Sequence, residues 1–142
     1  MKPRLLAAAL LTLAPLHAWA ACGATDAKSS PAQVVQAQVD AYNAHDIDGL
    51  VACYAKDASL SFLDGEHPST HGRDAIRKVF GFLARQSKAF HVEIVRRAAT
   101  GPVVVDLERL HGLPPGKHLP DAFAIYEVRD GLIAKVWFPP SK

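Results

Sequence analysis

The sequence predicts an α+β domain in which helices pack on a curved antiparallel sheet. Three segments with apolar residues at helical spacing all precede position 90. From position 90 onward, four segments alternate apolar and polar side chains, and the last two flank Asp130-Gly131, a strong hairpin signal. Because a sheet curved around helices leaves space at its open end, the pattern also predicts a cavity.

The first twenty residues have the pattern of a secretory signal peptide. Lys2 and Arg4 give a positive start, an apolar run follows from Leu5 to Leu16, and Ala18-Trp19-Ala20 provides a small-x-small cleavage site. The apolar run is shorter than the roughly 20 residues that span a membrane. We therefore expect a secreted or periplasmic protein.

The rest of the chain suits one domain, with a polar lead-in at 21–30 and the fold at 31–142. The full chain has 16 Lys and Arg against 14 Asp and Glu, and the first twenty residues hold two of the basic residues and no acid. A balanced domain without a basic stripe does not attract phosphates, so we expect no nucleic-acid partner.

Three helices are predicted. The first begins at Pro31 with Ser30 as its cap, the second begins after the capping residue Asp46, and the third covers 73–87. Their inward residues recur at helical spacing: Val35, Val39 and Tyr42, then Leu50, Val51 and Tyr54, then Ile76, Val79, Phe80 and Leu83.

Five strands are predicted, of which the first is short and precedes a polar loop. They cover 59–63, 90–97, 103–111, 121–129 and 132–138. In the strand at 103–111, Val103, Val105 and Leu107 share one face, and we expect that face to point inward. Asp106 and Glu108 share the other face.

Two stretches of the chain resemble one known superfamily. Ala41 to Leu60 contains a helix end, a tight corner, a short second helix and a strand, and Glu127 to Phe138 forms a closing hairpin. This arrangement is similar to the nuclear transport factor 2-like superfamily, and within it to the SnoaL-like polyketide cyclases and the ketosteroid isomerases. The resemblance implies a cone-shaped, cystatin-like fold with a central pocket, in which three N-terminal helices pack on the sheet.

The resemblance also implies where a ketosteroid isomerase would carry its catalytic residues. The general-base aspartate falls on Phe62, the tyrosine of the first helix on Gln38, and the second aspartate on Ala124 or Phe123. Because that isomerisation needs a carboxylate to move the proton, we do not expect this chain to perform it by that route.

The expected pocket is mainly apolar and suits a small hydrophobic or aromatic molecule. Val105 and Leu107 are expected in its wall, Tyr126 is the best polar candidate, and Arg109 and His111 are expected at the mouth. The candidate ligand-binding residues are Gln38, Tyr42, Phe62, Asp64, His67, Arg109, His111, Tyr126, Val136 and Phe138.

The loop from Asp64 to His71 holds two acids and two histidines, but its spacing matches no metal motif. Pro68 breaks the helix that would align His67 with His71. We expect a loop at the rim of the pocket, with Asp64 or His67 as conceivable acid–base groups, and no metal. We also expect no cofactor, since the chain has no phosphate loop or dinucleotide motif.

The two cysteines leave three alternatives open. Cys22 and Cys53 would form a disulfide if the first two helices run antiparallel and the protein is exported. Cys22 would instead be acylated if the chain is cleaved after Ala21, and only then do we expect a membrane partner. In the third alternative, both remain free thiols.

Three functions therefore remain open: a binding protein for a small apolar molecule, an acid–base isomerase or cyclase acting on such a molecule, and a non-catalytic dimerisation domain. The absence of the isomerase carboxylates favours the binding protein and the dimerisation domain over the enzyme. A homodimer is expected through the outer face of the sheet, because four large apolar residues are assigned to it: Phe123, Ile125, Ile133 and Trp137.

Overall fold

The computed structural model describes residue 22 and residues 29–141. The predicted signal peptide at 1–20 and most of the lead-in at 21–30 lie outside the described residues. No helix among the described residues is long and apolar enough to cross a membrane.

The helices begin where the capping residues predict. Helix α1 covers Pro31–Asn43, and the Ser30 side chain accepts a hydrogen bond from the backbone N–H of Gln33 in a capping box. Helix α2 covers Ile47–Ala52, and the Asp46 side chain accepts from the N–H of Gly49. Helix α3 covers Arg73–Phe80 and continues as a 3-10 turn over Gly81–Arg85, so the predicted third helix ends slightly early.

Six strands form one curved sheet in the order β2-β1-β6-β5-β4-β3. Their bounds are Tyr54–Phe62 for β1, Thr70–His71 for β2, His91–Thr100 for β3, Val103–His111 for β4, Ala122–Arg129 for β5 and Leu132–Phe138 for β6. Four of the neighbouring pairs are antiparallel, but β1 and β6 are parallel. The parallel pairing of β1 with β6 departs from the expected fully antiparallel sheet. The sequence does not show which strands become neighbours when they are far apart along the chain.

Strand β1 begins five residues before its predicted start. Its register against β6 shifts between Tyr54 and Ser59, and the exposed residues Lys56 and Asp57 lie within this irregular part. These two consecutive polar residues interrupt the alternation of apolar and polar side chains that predicts a strand. Tyr54 and Ala58, on either side of them, are buried on the core side. Strand β2, a two-residue partner of β1, was not predicted.

Two bulges change which side chains face the core. Val95 is the extra residue of β3, so alternation reverses there and Arg97 turns inward. Ala134 is the extra residue of β6, so Ile133 is fully buried rather than on the outer face. The assignment of Ile133 to the dimer surface was therefore wrong.

Helix α1 lies across the inner face of the sheet and is fastened to β3. The Asn43 side chain donates to the carbonyl of Val92 and accepts from its N–H, at 2.9 and 2.8 Å. A His45 ring nitrogen lies 2.8 Å from the carbonyl oxygen of Phe90. These contacts hold the end of α1 over the sheet.

The structure joins Cys22 and Cys53 in a disulfide, with their Cα atoms 4.6 Å apart. Both residues are buried, and the bond links the segment before α1 to the residue that ends α2. A cysteine in a disulfide has no free sulfur for a lipid thioether, so this geometry favours the first of the three alternatives for Cys22.

Candidate functional site

A cavity of about 250 Å³ lies between α1, α3 and the inner face of the sheet. Aliphatic and aromatic side chains form most of its wall, among them Leu60, Phe80, Val92, Leu110 and Phe138. Phe138 also stacks on Phe62, with ring centroids 5.2 Å apart. This volume is slightly below the roughly 300–1,000 Å³ of typical ligand sites, so the cavity suits only a small molecule.

All three tyrosines of the chain line this cavity, namely Tyr42, Tyr54 and Tyr126. Burial is the main cause that raises the pKa of each hydroxyl above its usual value, and the negative charge of Glu108 adds to it. The hydroxyls therefore remain protonated near neutral pH, and those of Tyr42 and Tyr54 are available as hydrogen-bond donors to a ligand.

Glu108 is the one acidic residue in the cavity wall as the structure describes it. The Tyr126 hydroxyl donates to a Glu108 carboxyl oxygen at 2.9 Å. Burial raises the pKa of Glu108 to about 7; the Tyr126 hydrogen bond opposes this rise, while the charges of Asp106 and Arg97 act in opposite directions. Near neutral pH, this carboxyl group can both take up and release a proton.

Glu108 faces the cavity because the inward face of β4 is the opposite of the predicted one. Val104 and Asp106 are fully buried on the inner face, whereas Val105 and Leu107 lie on the outer face and do not line the cavity. The prediction assumed that two acidic residues would face solvent. That assumption fails because each acid has a polar partner on the inner side of the sheet: Arg97 for Asp106 and Tyr126 for Glu108.

The partner of Asp106 is Arg97, which the bulge at Val95 turns inward. The guanidinium donates to both carboxylate oxygens, at 2.6 and 2.7 Å, and also to the side chain of Gln36 on α1 at 2.8 Å. The bidentate pair raises the pKa of Arg97 above its usual value. The pair thus links β3, β4 and α1 behind the cavity.

Five of the ten candidate ligand-binding residues lie in the cavity wall: Gln38, Tyr42, Phe62, Tyr126 and Phe138. A sixth, Val136, is fully buried in the core but is not part of the wall. Of the two candidates for the second isomerase aspartate position, Ala124 faces inward and Phe123 faces outward. The isomerase positions at Gln38, Phe62 and Ala124 therefore lie on the core side, without a carboxylate.

Arg109 and His111 do not lie at the cavity mouth. They share the outer face of β4 with Leu107. The predicted inward orientation was wrong because the inward face of β4 is the opposite of the predicted one. Arg109 forms a bidentate ion pair with Asp121 at 2.9 and 2.7 Å, and a ring nitrogen of His111 lies 2.7 Å from Glu93. Both pairs are largely exposed.

Asp64 and His67 are also outside the cavity wall, on an exposed loop. The His67 ring nitrogen Nδ1 lies 2.6 Å from an Asp64 oxygen, and its ring contacts Phe62 from the rim. The N–H of Glu66, and then the His67 ring, hold the pKa of Asp64 below its usual value. Among the described residues, no cluster of three or more potential ligands could hold a metal.

Sequence reasoning missed Glu108 as a functional residue. Its signal was present, since Asp106 and Glu108 alternate on one face of a strand that contains five aliphatic residues. Two acidic side chains on one face of such a strand either both face solvent or both face the core, where each needs a polar partner. The position of Arg97, which depends on the bulge at Val95, decides which of these two orientations β4 adopts.

Similarity to known proteins is consistent with this geometry. The sequence profile of the SnoaL-like domain matches residues 35–136. No curated protein matches the chain at a significant level. An uncharacterized cystatin-fold protein from Novosphingobium aromaticivorans is 25% identical, with a TM-score of 0.65 over 78% of this chain and 97% of that chain.

Two further solved structures share the fold. A proposed polyketide cyclase from Sinorhizobium meliloti is 21% identical, with a TM-score of 0.63 over 80% of this chain and 99% of that one. A proposed ketosteroid isomerase from Kribbella flavida is 18% identical, with a TM-score of 0.65 over 79% and 78%. The profile match, over most of the chain, agrees with the curved sheet and central cavity: this protein belongs to the SnoaL-like domain family, within the nuclear transport factor 2-like fold.

Proposed function

We propose that the cavity binds a small hydrophobic or aromatic molecule and that Glu108 exchanges a proton with it. The observation that carries the proposal is the Tyr126–Glu108 pair in the wall of a mainly apolar cavity. A carboxyl group whose pKa lies near 7 is matched to proton transfer at neutral pH. The reaction class is proton abstraction next to a carbonyl group, as in an isomerisation or a cyclisation.

The tyrosines support this reaction class. Abstraction of a proton next to a carbonyl places negative charge on the carbonyl oxygen, and a neutral hydroxyl donor stabilises that charge. Tyr42 and Tyr54 line the cavity with hydroxyls that do not ionise near neutral pH. The base at Glu108 and these donors lie in one apolar enclosure, where water competes little for either interaction.

We also propose that the protein is exported. The leader pattern at 1–20 supports export, and the disulfide between Cys22 and Cys53 agrees with an oxidising compartment. The ligand would then be a molecule that reaches the periplasm or the cell exterior.

Exchange of the acidic α-hydrogens of 2-tetralone in D₂O tests the proposed proton transfer. We expect native protein to accelerate this exchange, measured by proton NMR, with a rate that rises as the pH increases through about 7 and Glu108 ionises. Glu108→Gln should lower the protein-dependent rate by about 100-fold. Asp121→Asn, which changes an exposed acid outside the cavity, is the matched control and should retain the native rate.

Native exchange that survives Glu108→Gln would contradict the assigned base. Binding of 2-tetralone without any exchange would leave a binding protein and remove the catalytic part of the proposal. Absence of both binding and exchange for a panel of bicyclic ketones would contradict the proposed function as a whole.

We propose, in addition, that two copies pair through the outer face of the sheet. Val105, Leu107, Phe123, Ile125 and Trp137 form this apolar face, and Phe123 is 50% exposed. The helices pack on the opposite face, and on this one Lys135 lies over the Trp137 ring, with its ammonium 5.7 Å from the ring centroid. An apolar face placed against its own copy on a two-fold axis buries the same residues on both subunits.

Sedimentation equilibrium tests the dimer. Native protein is expected at twice the monomer mass at micromolar concentration, and Phe123→Glu should shift it to monomer because a charge cannot be buried unpaired at the centre of the interface. Leu119→Glu is the control, since Leu119 is 47% exposed but lies in the β4–β5 loop. A monomeric native protein would contradict the proposal.

A further inference from the structure

Gln38 has an environment unlike that of the other buried polar groups around the cavity. It lies on α1, is 3% exposed, and forms part of the cavity wall beside Val39. Its side-chain carbonyl oxygen Oε1 has no hydrogen-bond partner, and it is the single buried side-chain nitrogen or oxygen atom of residues 29–141 in that condition.

An unpaired buried carbonyl destabilises a protein because the group loses its hydrogen bonds to water without replacement. The neighbouring polar groups do not have this defect, since Asp106 is paired with Arg97 and Tyr126 with Glu108. A methionine or leucine would fill the same position on α1 without the cost. A polar atom left without a partner in the wall of a cavity therefore points to a group on the molecule that occupies the cavity.

We propose that Gln38 is a specificity-determining residue that binds a hydroxyl group on an otherwise apolar ligand. This inference rests on the proposed function of the same cavity. Because Oε1 is itself fully enclosed, a ligand hydroxyl accepts from the amino end of the amide as placed, and it donates to the carbonyl end once the amide rotates toward the cavity. A hydroxyl therefore satisfies the site in either orientation, whereas a ketone or a methyl group does not.

The rest of the cavity restricts the ligand further. Glu108 is on the sheet side of the cavity and Gln38 on the helix side, and the wall between them is mainly aromatic and aliphatic. The volume of about 250 Å³ admits a bicyclic aromatic molecule. The ligand class is thus a small aromatic or alicyclic carbonyl compound that also carries a hydroxyl group, with that hydroxyl directed to α1.

Two probes of nearly equal shape test this inference: 2-naphthol and 2-methylnaphthalene, which differ by a hydroxyl in place of a methyl group. By isothermal titration calorimetry, we expect native protein to bind 2-naphthol about 10-fold more tightly than 2-methylnaphthalene. Gln38→Met keeps the length of the side chain and removes its polar atoms. This variant should reduce the preference to about twofold, mainly by weakening the binding of 2-naphthol.

Asp121→Asn, which changes an exposed acid outside the cavity, provides the matched control and should retain the preference. Glu108→Gln tests the other wall residue that carries a carboxyl or carbonyl acceptor in its side chain. We expect this variant to retain the preference for 2-naphthol. A preference lost in Glu108→Gln but kept in Gln38→Met would overturn the inference and leave the proposed function intact. Equal binding of both probes to native protein would overturn it too, whereas binding of neither probe would count against the proposed function itself.

Discussion

Asp106→Ala should lower the free energy of unfolding by about 3–5 kcal/mol, because it leaves the Arg97 guanidinium without its buried carboxylate. Asp106 is 0% exposed, and both of its oxygens accept from Arg97. The pair also ties α1 to the sheet through Gln36, so its loss affects the helix that covers the cavity. Urea denaturation followed by circular dichroism measures the change.

A second ion pair of the same geometry provides the control. Arg109 on β4 and Asp121, which immediately precedes β5, also form a bidentate pair, but their side chains are 45% and 30% exposed. Asp121→Ala should therefore lower the free energy of unfolding much less than Asp106→Ala does. Similar losses for the two variants would show that the environment of Asp106 does not distinguish it from a surface acid.

Loss of the disulfide should lower the free energy of unfolding by about 3–4 kcal/mol. Cys22 and Cys53 are 31 residues apart in sequence, so the bond restricts a substantial loop in the unfolded chain. The double variant Cys22→Ser with Cys53→Ser, and native protein treated with a reducing agent, should unfold at similarly reduced denaturant concentrations. The oxidised native protein is the reference.

Mass spectrometry of the exported protein checks the same assignment directly. An intact mass two hydrogens below that of the reduced chain supports the disulfide. Two thiols that react with iodoacetamide without prior reduction would contradict it, and a diacylglycerol mass on Cys22 would establish the lipid-anchored alternative.

Local signals in the sequence determined most of the secondary structure and the fold class. Ser30 and Asp46 cap the helices as predicted, and Asp130-Gly131 forms the closing hairpin. Strands β4 and β6 have their predicted bounds. These features depend on neighbouring residues alone, so a single sequence is enough to predict them.

The candidate site was predicted only in part, for a physical reason. Gln38, Tyr42, Phe62, Tyr126 and Phe138 were placed correctly because helical spacing and the family resemblance fix which side of α1, β1, β5 and β6 faces inward. Glu108, Arg109 and His111 were placed on the wrong sides of β4. The period of a strand is visible in its sequence, but its phase depends on the elements that pack against it.

Tertiary structure alone decided that phase. Both faces of β4 carry apolar side chains. Hydrophobicity alone therefore does not show which face of the strand points into the core. The choice is made by Arg97, which reaches Asp106 because one extra residue at Val95 reverses the alternation of β3. The sequence by itself thus determined the helices, the strands and the curved α+β fold. Only the packed structure decided that an acid faces the cavity, because the free energy of burying Asp106 and Glu108 depends on partners distant in the chain.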